Sequence, residues 1–147
     1  MRWAEGAAYM AQILGLLHPL EVDGVALHAY GGAAAAEGAA PRTTNSIGLD
    51  EFTGELDEQI RAVADAGLVS TPIFLTEMNQ RSAPDPDFIR GAHLWIDQHN
   101  RRSPQDIVAA SWFVYHDEMD QWREYALERR PEILMVFREA AGLPPGR

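Results

Sequence analysis

Thr71-Pro-Ile-Phe-Leu-Thr-Glu-Met-Asn79 is the stretch on which the reading of this chain turns. Pro72 suits the start of a strand, where a missing N–H costs no ladder bond. Ile73, Phe74 and Leu75 make a short apolar run, the pattern of a strand covered on both faces. Glu77 arrives where the run ends, just before the polar, proline-containing stretch from Asn79 to Asp87. A carboxylate at the end of a buried parallel strand stands at the usual active-site position of an α/β fold.

Outward from that strand, helices and strands alternate. Trp3, Ala7, Met10, Leu14 and Leu17 lie on one face of a helix by their spacing, and His18-Pro19 ends it. Val22 to Tyr30 reads as a first strand. Gly31 to Gly48 reads as a long loop rich in Gly, Ala, Thr and Asn. Phe52, Leu56, Ile60 and Val63 mark a second helix with Gly67 as its C-cap. Ile73 to Glu77 is the second strand. Asp85 or Asp87 caps a third helix bearing Ile89, Ala92 and Trp95 or Ile96. Arg101 to Gln105 turns the chain into a third strand, Ile107 to Tyr115, rich in β-branched and aromatic residues. From Trp122 the chain reads as helical in two pieces, with Pro131 in the first turn of the second. The expected order is α-β-α-β-α-β-α with right-handed parallel crossovers, a partial TIM barrel of α/β class formed by residues 1–147 as one domain. Three parallel strands leave both sheet edges open, so association with a second copy or with a missing half-barrel is expected.

The chain has 147 residues and no cysteine, which removes disulfides and thiolate chemistry and leaves the compartment undecided. A chain of about 150 residues buries roughly 70% of its unfolded surface, enough for a core. The formal charge of −10 argues against nucleic acid and anionic membranes as partners. No apolar run reaches the ~18–20 residues of a membrane span. The first residues lack a signal peptide's uninterrupted apolar core, because Glu5 and Gln12 interrupt the pattern. There is no phosphate-binding glycine loop, since Gly31-Gly32 leads into alanines.

Strand parity groups the candidate site residues, because side chains two apart share a face. Ala26, His28 and Tyr30 share one. Ile73, Leu75 and Glu77 share another. Val108, Ala110, Trp112 and Val114 share a third, with His116 just beyond. If all three faces point inward, one rim gathers His28, Tyr30, Glu77, Trp112 and His116, with Asn79 two residues past the Glu. A carboxylate, an imidazole, a phenol and an indole suit a carbohydrate, whose apolar ring face stacks on the indole. A divalent-metal site from His28, Glu77 and His116 is the competing enzyme reading. No His-x-His or His-x-x-x-His pair supports it. His93 and His99 read as solvated surface, and the acidic run Glu55 to Glu58 as a solvated helix face.

His28-Ala-Tyr30 resembles the sixth strand of the clan A glycoside hydrolases, retaining (β/α)8-barrel enzymes. Leu75-Thr-Glu77-Met78 resembles their seventh strand, and Ser111-Trp-Phe113 their eighth. The resemblance spans nearly the whole chain, from the fifth helix through the eighth. It implies that Glu77 is the nucleophile, that His28 and Tyr30 position it or the substrate, and that Trp112 stacks under the sugar. Asn79 and His116 join them as substrate-binding groups. No cofactor is implied. The clan's acid/base Glu usually follows an Asn at the end of the fourth strand, and this chain contains no Asn-Glu pair. Retaining hydrolysis uses two carboxyl groups roughly 5–5.5 Å apart. The resemblance therefore implies one of two things. The chain is a nucleophile-bearing piece of a hydrolase of β-linked glycosides or polysaccharides, or a catalytically silent half-barrel that self-associates and at most binds sugar.

Overall fold

The computed structural model describes residues 3–17, 22–32, 45–80, 85–113, 123 and 125–142. Within them the elements are α1 (Trp3–Leu14), β1 (Val25–Gly31), α2 (Asn45–Asp65), β2 (Ile73–Gln80), α3 (Pro86–Asn100), β3 (Ile107–Trp112), a single 3-10 turn (Leu127–Arg129) and α4 (Pro131–Ala140). The three strands form one parallel sheet in the order β1-β2-β3. Because that order never reverses, right-handed crossovers put α2 and α3 on the same side of the sheet. α1 packs on α2 and α4 on α3, so the helices form one layer. Among the described residues no element covers the opposite face of the sheet, as in an unclosed piece of an α/β barrel.

Local chemistry accounts for the element ends. The Asp85 side chain accepts the Asp87 N–H at 2.8 Å and caps α3, with Pro86 in the first turn. Gly67, at φ 86°, ends α2. The Leu68 N–H reaches the Val63 carbonyl and the Gly67 N–H reaches that of Ala64, the paired bonds of a Schellman motif. Only a residue without Cβ takes that φ freely.

The core lies between sheet and helices. Leu27, Ala29, Ile73, Leu75 and Met78 from the strands meet Phe52, Leu56 and Val63 of α2 and Phe88, Ile89 and Ala92 of α3. The Phe52 and Phe88 rings meet edge to face, 5.5 Å between centroids. Met10 and Leu14 bring α1 into the same core.

Several boundaries differ from the sequence reading. The first strand starts at Val25 rather than Val22, and α2 already begins at Asn45, inside the stretch expected to be loop. Strand β2 continues past Glu77 to Gln80. Leu17 lies beyond α1 and is exposed, because the helix stops at Leu14. Among the described residues after β3 the helical pieces are the 3-10 turn and α4.

The largest difference is in strand parity. Leu27 pairs with Leu75 but His28 pairs with Glu77, so Thr76 is an extra residue in β2. Likewise Ile73 pairs with Ile107 but Phe74 with Ala109, so Val108 is an extra residue in β3. Each one-residue bulge exchanges the faces of every side chain after it. Ile73 and Leu75 point into the helix layer, fully buried, and Glu77 does not share their face. The open face carries Ala26, His28, Tyr30, Phe74, Thr76, Glu77, Ala109 and Ser111 instead.

Candidate functional site

The bulge at Thr76 aims Glu77. Without it, Glu77 would follow Leu75 under the helices; with it, Glu77 stands beside His28 on the open face. Tyr30, two residues on from His28, donates its phenolic O–H to Glu77 Oε2. His28 Nδ1 lies 3.5 Å from the same oxygen. Both contacts fall on Oε2, and Oε1 has none among the described residues. The carboxylate is about one-third exposed and the imidazole about half. All three side chains come from the C-terminal halves of neighbouring strands, where a barrel carries its chemistry.

Two tethers hold the strand end that supplies His28 and Tyr30. The Tyr30 backbone N–H donates to Glu55 Oε2 at 3.1 Å, and Gln59 Nε2 donates to the His28 carbonyl at 2.8 Å. Both partners come from α2, one turn apart. Glu55 therefore is not simply part of a solvated acidic face, because the packing of α2 on β1 brings it to the backbone. Glu58 departs from that reading too, as its Oε2 is buried without a hydrogen-bond partner among the described residues. Gly31 follows directly. A Cβ there would collide with the Gly48 carbonyl and the Phe88 ring, so the strand end is pressed against α2 and α3.

Asn79 shares the face of Glu77, opposite Tyr30, with its side chain held by backbone groups. It is 1% exposed. Its Nδ2 donates to the Phe113 carbonyl, and its Oδ1 accepts the Gln80 N–H at 2.6 Å. Gln80 Oε1 in turn accepts the Asp85 N–H at 3.0 Å, so the end of β2 is tied to the residue after β3 and to the cap of α3.

Trp112 is not on the face of Glu77. It pairs with Met78, which is fully buried, and packs edge to face on Phe137 of α4 at 5.9 Å. Its Nε1 donates to the Tyr125 carbonyl at 3.3 Å. The cause is the extra residue at Val108, which parity counting cannot foresee. The next residue, Phe113, takes the place expected of the indole. Its ring meets Tyr30 edge to face, 6.4 Å between centroids. The only sign of it in the sequence is an aromatic neighbour of Trp112. His116 lies outside the described residues.

His93 and His99 are not simple surface residues. The His99 ring stacks on Trp95 at 5.3 Å, and its Nε2 lies 2.9 Å from the Gln105 carbonyl. His93 packs on Phe137 at 5.3 Å, and its Nε2 is buried without a hydrogen-bond partner among the described residues. Loss of water around the ring holds its pKa below the ordinary 6.5.

Of the strand residues on the open face, Glu77 is the only carboxylate. Among the described residues no group of three or more His, Asp or Glu is arranged to hold a metal ion. No helix among them is long and apolar enough to cross a membrane. What the arrangement presents is a partly exposed carboxylate oriented at one oxygen. No protein-family model, no curated protein and no solved structure matches the chain.

Proposed function

We propose that this chain is the nucleophile-bearing part of a retaining glycoside hydrolase of the clan A type, acting on β-linked glycosides or polysaccharides, with residues 1–147 forming one partial-barrel domain. The observation that carries the reading is Glu77 in the C-terminal half of the middle strand, bonded at Oε2 by the Tyr30 phenol and flanked by His28. In the reaction the free oxygen forms an ester bond to the anomeric carbon. The bond to the leaving-group oxygen breaks, and that oxygen departs with the electron pair. The Tyr30 hydroxyl holds the carboxylate in line, and His28 approaches the same oxygen from the side. Phe113, beside Tyr30, offers the apolar surface on which a sugar ring stacks. Asn79 acts by fixing the end of β2.

An ordinary glycoside also needs a proton on the leaving group, a contribution of ~10²–10⁴-fold in rate. In this proposal a second carboxyl group comes from a further half-barrel or a second copy. The chain alone is then confined to substrates with activated leaving groups. The test is a 2-deoxy-2-fluoro glycoside with a dinitrophenyl leaving group, followed by mass spectrometry of the peptides. A glycosyl adduct on Glu77, absent from Glu77→Gln, is the expected result. No adduct with any common pyranose would overturn the proposal. Saturable sugar binding without an adduct would establish instead the silent, sugar-binding half-barrel.

A further inference from the structure

We infer that Glu55 and Gln59 of α2 are positioning residues that take the place of a neighbouring strand along the outer edge of β1, and so set His28 and Tyr30 against Glu77. In a parallel ladder, alternate residues turn both backbone groups to the same side. Val25 donates its N–H to the Pro72 carbonyl, toward β2. Ala26, His28 and Tyr30 therefore turn theirs to the outer edge, where no strand pairs among the described residues. The His28 carbonyl and the Tyr30 N–H are the two groups bonded by Gln59 and Glu55. One side chain donates and the other accepts, in the sense a paired strand would. Their spacing of four residues puts them on one face of α2, one turn apart.

The other outer edge is treated the same way. Asn100, at the end of α3, donates Nδ2 to the Ile107 carbonyl at 3.0 Å and accepts the Ile107 N–H on Oδ1 at 2.9 Å. Ile107 opens β3, away from the site. What distinguishes the α2 pair is its target, the backbone of the two residues whose side chains meet Glu77. A rotation of that strand end would carry the Tyr30 hydroxyl and the His28 ring away from Oε2 together.

The functional consequence rests on Glu77 being the reactive group, while the geometry itself does not, and the test uses no glycoside. Amide hydrogen exchange at Tyr30 reads the edge bond. The ¹³C signal of the Glu77 side-chain carboxyl reads the positioning. In Glu55→Ala, Tyr30 exchange should rise roughly 10-fold or more, the worth of one hydrogen bond to a charged group. The Glu77 signal should move with it. Glu55→Gln keeps an acceptor oxygen and should restore both. If Glu55→Ala does not fold, Gln59→Ala, which leaves a carbonyl within reach of water, should move the Glu77 signal alike. An unprotected Tyr30 amide in the unmodified protein would overturn the inference. So would a rise in exchange with no movement of the Glu77 signal, because the edge would then be held without positioning anything. Failure to trap an adduct on Glu77 would leave these readouts untouched, so the two proposals fail separately.

Discussion

Glu77 and His93 show how placement within the fold separates two titratable side chains. Glu77 keeps one oxygen engaged by a phenol and an imidazole and remains in contact with water. His93 turns its Nε2 into the α3–α4 contact against Phe137, where nothing among the described residues accepts or donates to it. A base whose pKa is lowered by folding binds its proton more readily in the unfolded chain. Stability is then complete above the unfolded-state value of 6.5 and declines as the pH falls below it, until the lower folded-state value is passed. The melting temperature of the unmodified protein should therefore fall between pH 7 and pH 5 more steeply than that of His93→Gln. Parallel curves for the two proteins would show that the imidazole does not stay neutral in the fold.

At the scale of elements, the two bulges matter more than any single contact. Thr76 turns Glu77 outward and keeps Met78 in the core; Val108 turns Trp112 inward onto α4. Bulges of this kind re-aim side chains beside active sites. Deleting Thr76 should restore regular pairing and leave the faces as they are, with Glu77 opposite His28 and Met78 opposite Ala29 and Trp112. The core is then kept, and what is lost is the local twist that the bulge adds. A urea titration should show the variant folded, with a loss no larger than the ~0.5–3 kcal/mol of an ordinary substitution. A variant unfolded without denaturant would mean that the strand needs the extra residue.

For the whole molecule, the open sheet face raises the question of what covers it. Parity counting along the strands puts Ile73 and Leu75 there, but both lie fully buried beneath the helices. Phe74, 40% exposed, and Val108, 54% exposed, are the large apolar residues left over, next to the small Ala26 and Ala109. The strand edges are also less open than three strands suggest, because Glu55, Gln59 and Asn100 bond the outward backbone groups of Tyr30, His28 and Ile107. Association through the face is thus favoured over strand addition at those positions, and twofold symmetry is the commonest closure. Light scattering at micromolar concentration should report a mass near twice that of the chain. Phe74→Ser should weaken the dimer ~10–100-fold, as expected from ~1.5–3 kcal/mol for one buried aromatic side chain. A monomeric unmodified protein, or a dimer indifferent to Phe74→Ser, would remove the face from consideration.

The sequence by itself determined what depends on near neighbours. The 3.6-residue spacing of Phe52, Leu56, Ile60 and Val63 specifies α2, and the pair Asp85 and Asp87 specifies the start of α3 to within two residues, the structure choosing Asp85. The apolar run after Pro72 specifies β2, and the alternation of such elements with helices specifies a parallel, unclosed α/β arrangement. The residues His28, Tyr30 and Glu77 were legible as a group because each ends or follows an apolar run. Only the tertiary structure decided which way they point. A bulge arises from pairing between strands distant in sequence, and parity counting within one strand carries no trace of it. The same holds for Glu55, whose carboxylate reads as one of several on an acidic helix until the fold brings it to a backbone amide 25 residues away. Trp112 and Phe113 exchanged places for that reason as well: one extra residue at Val108 turned the indole into the core and left the phenyl ring beside Tyr30.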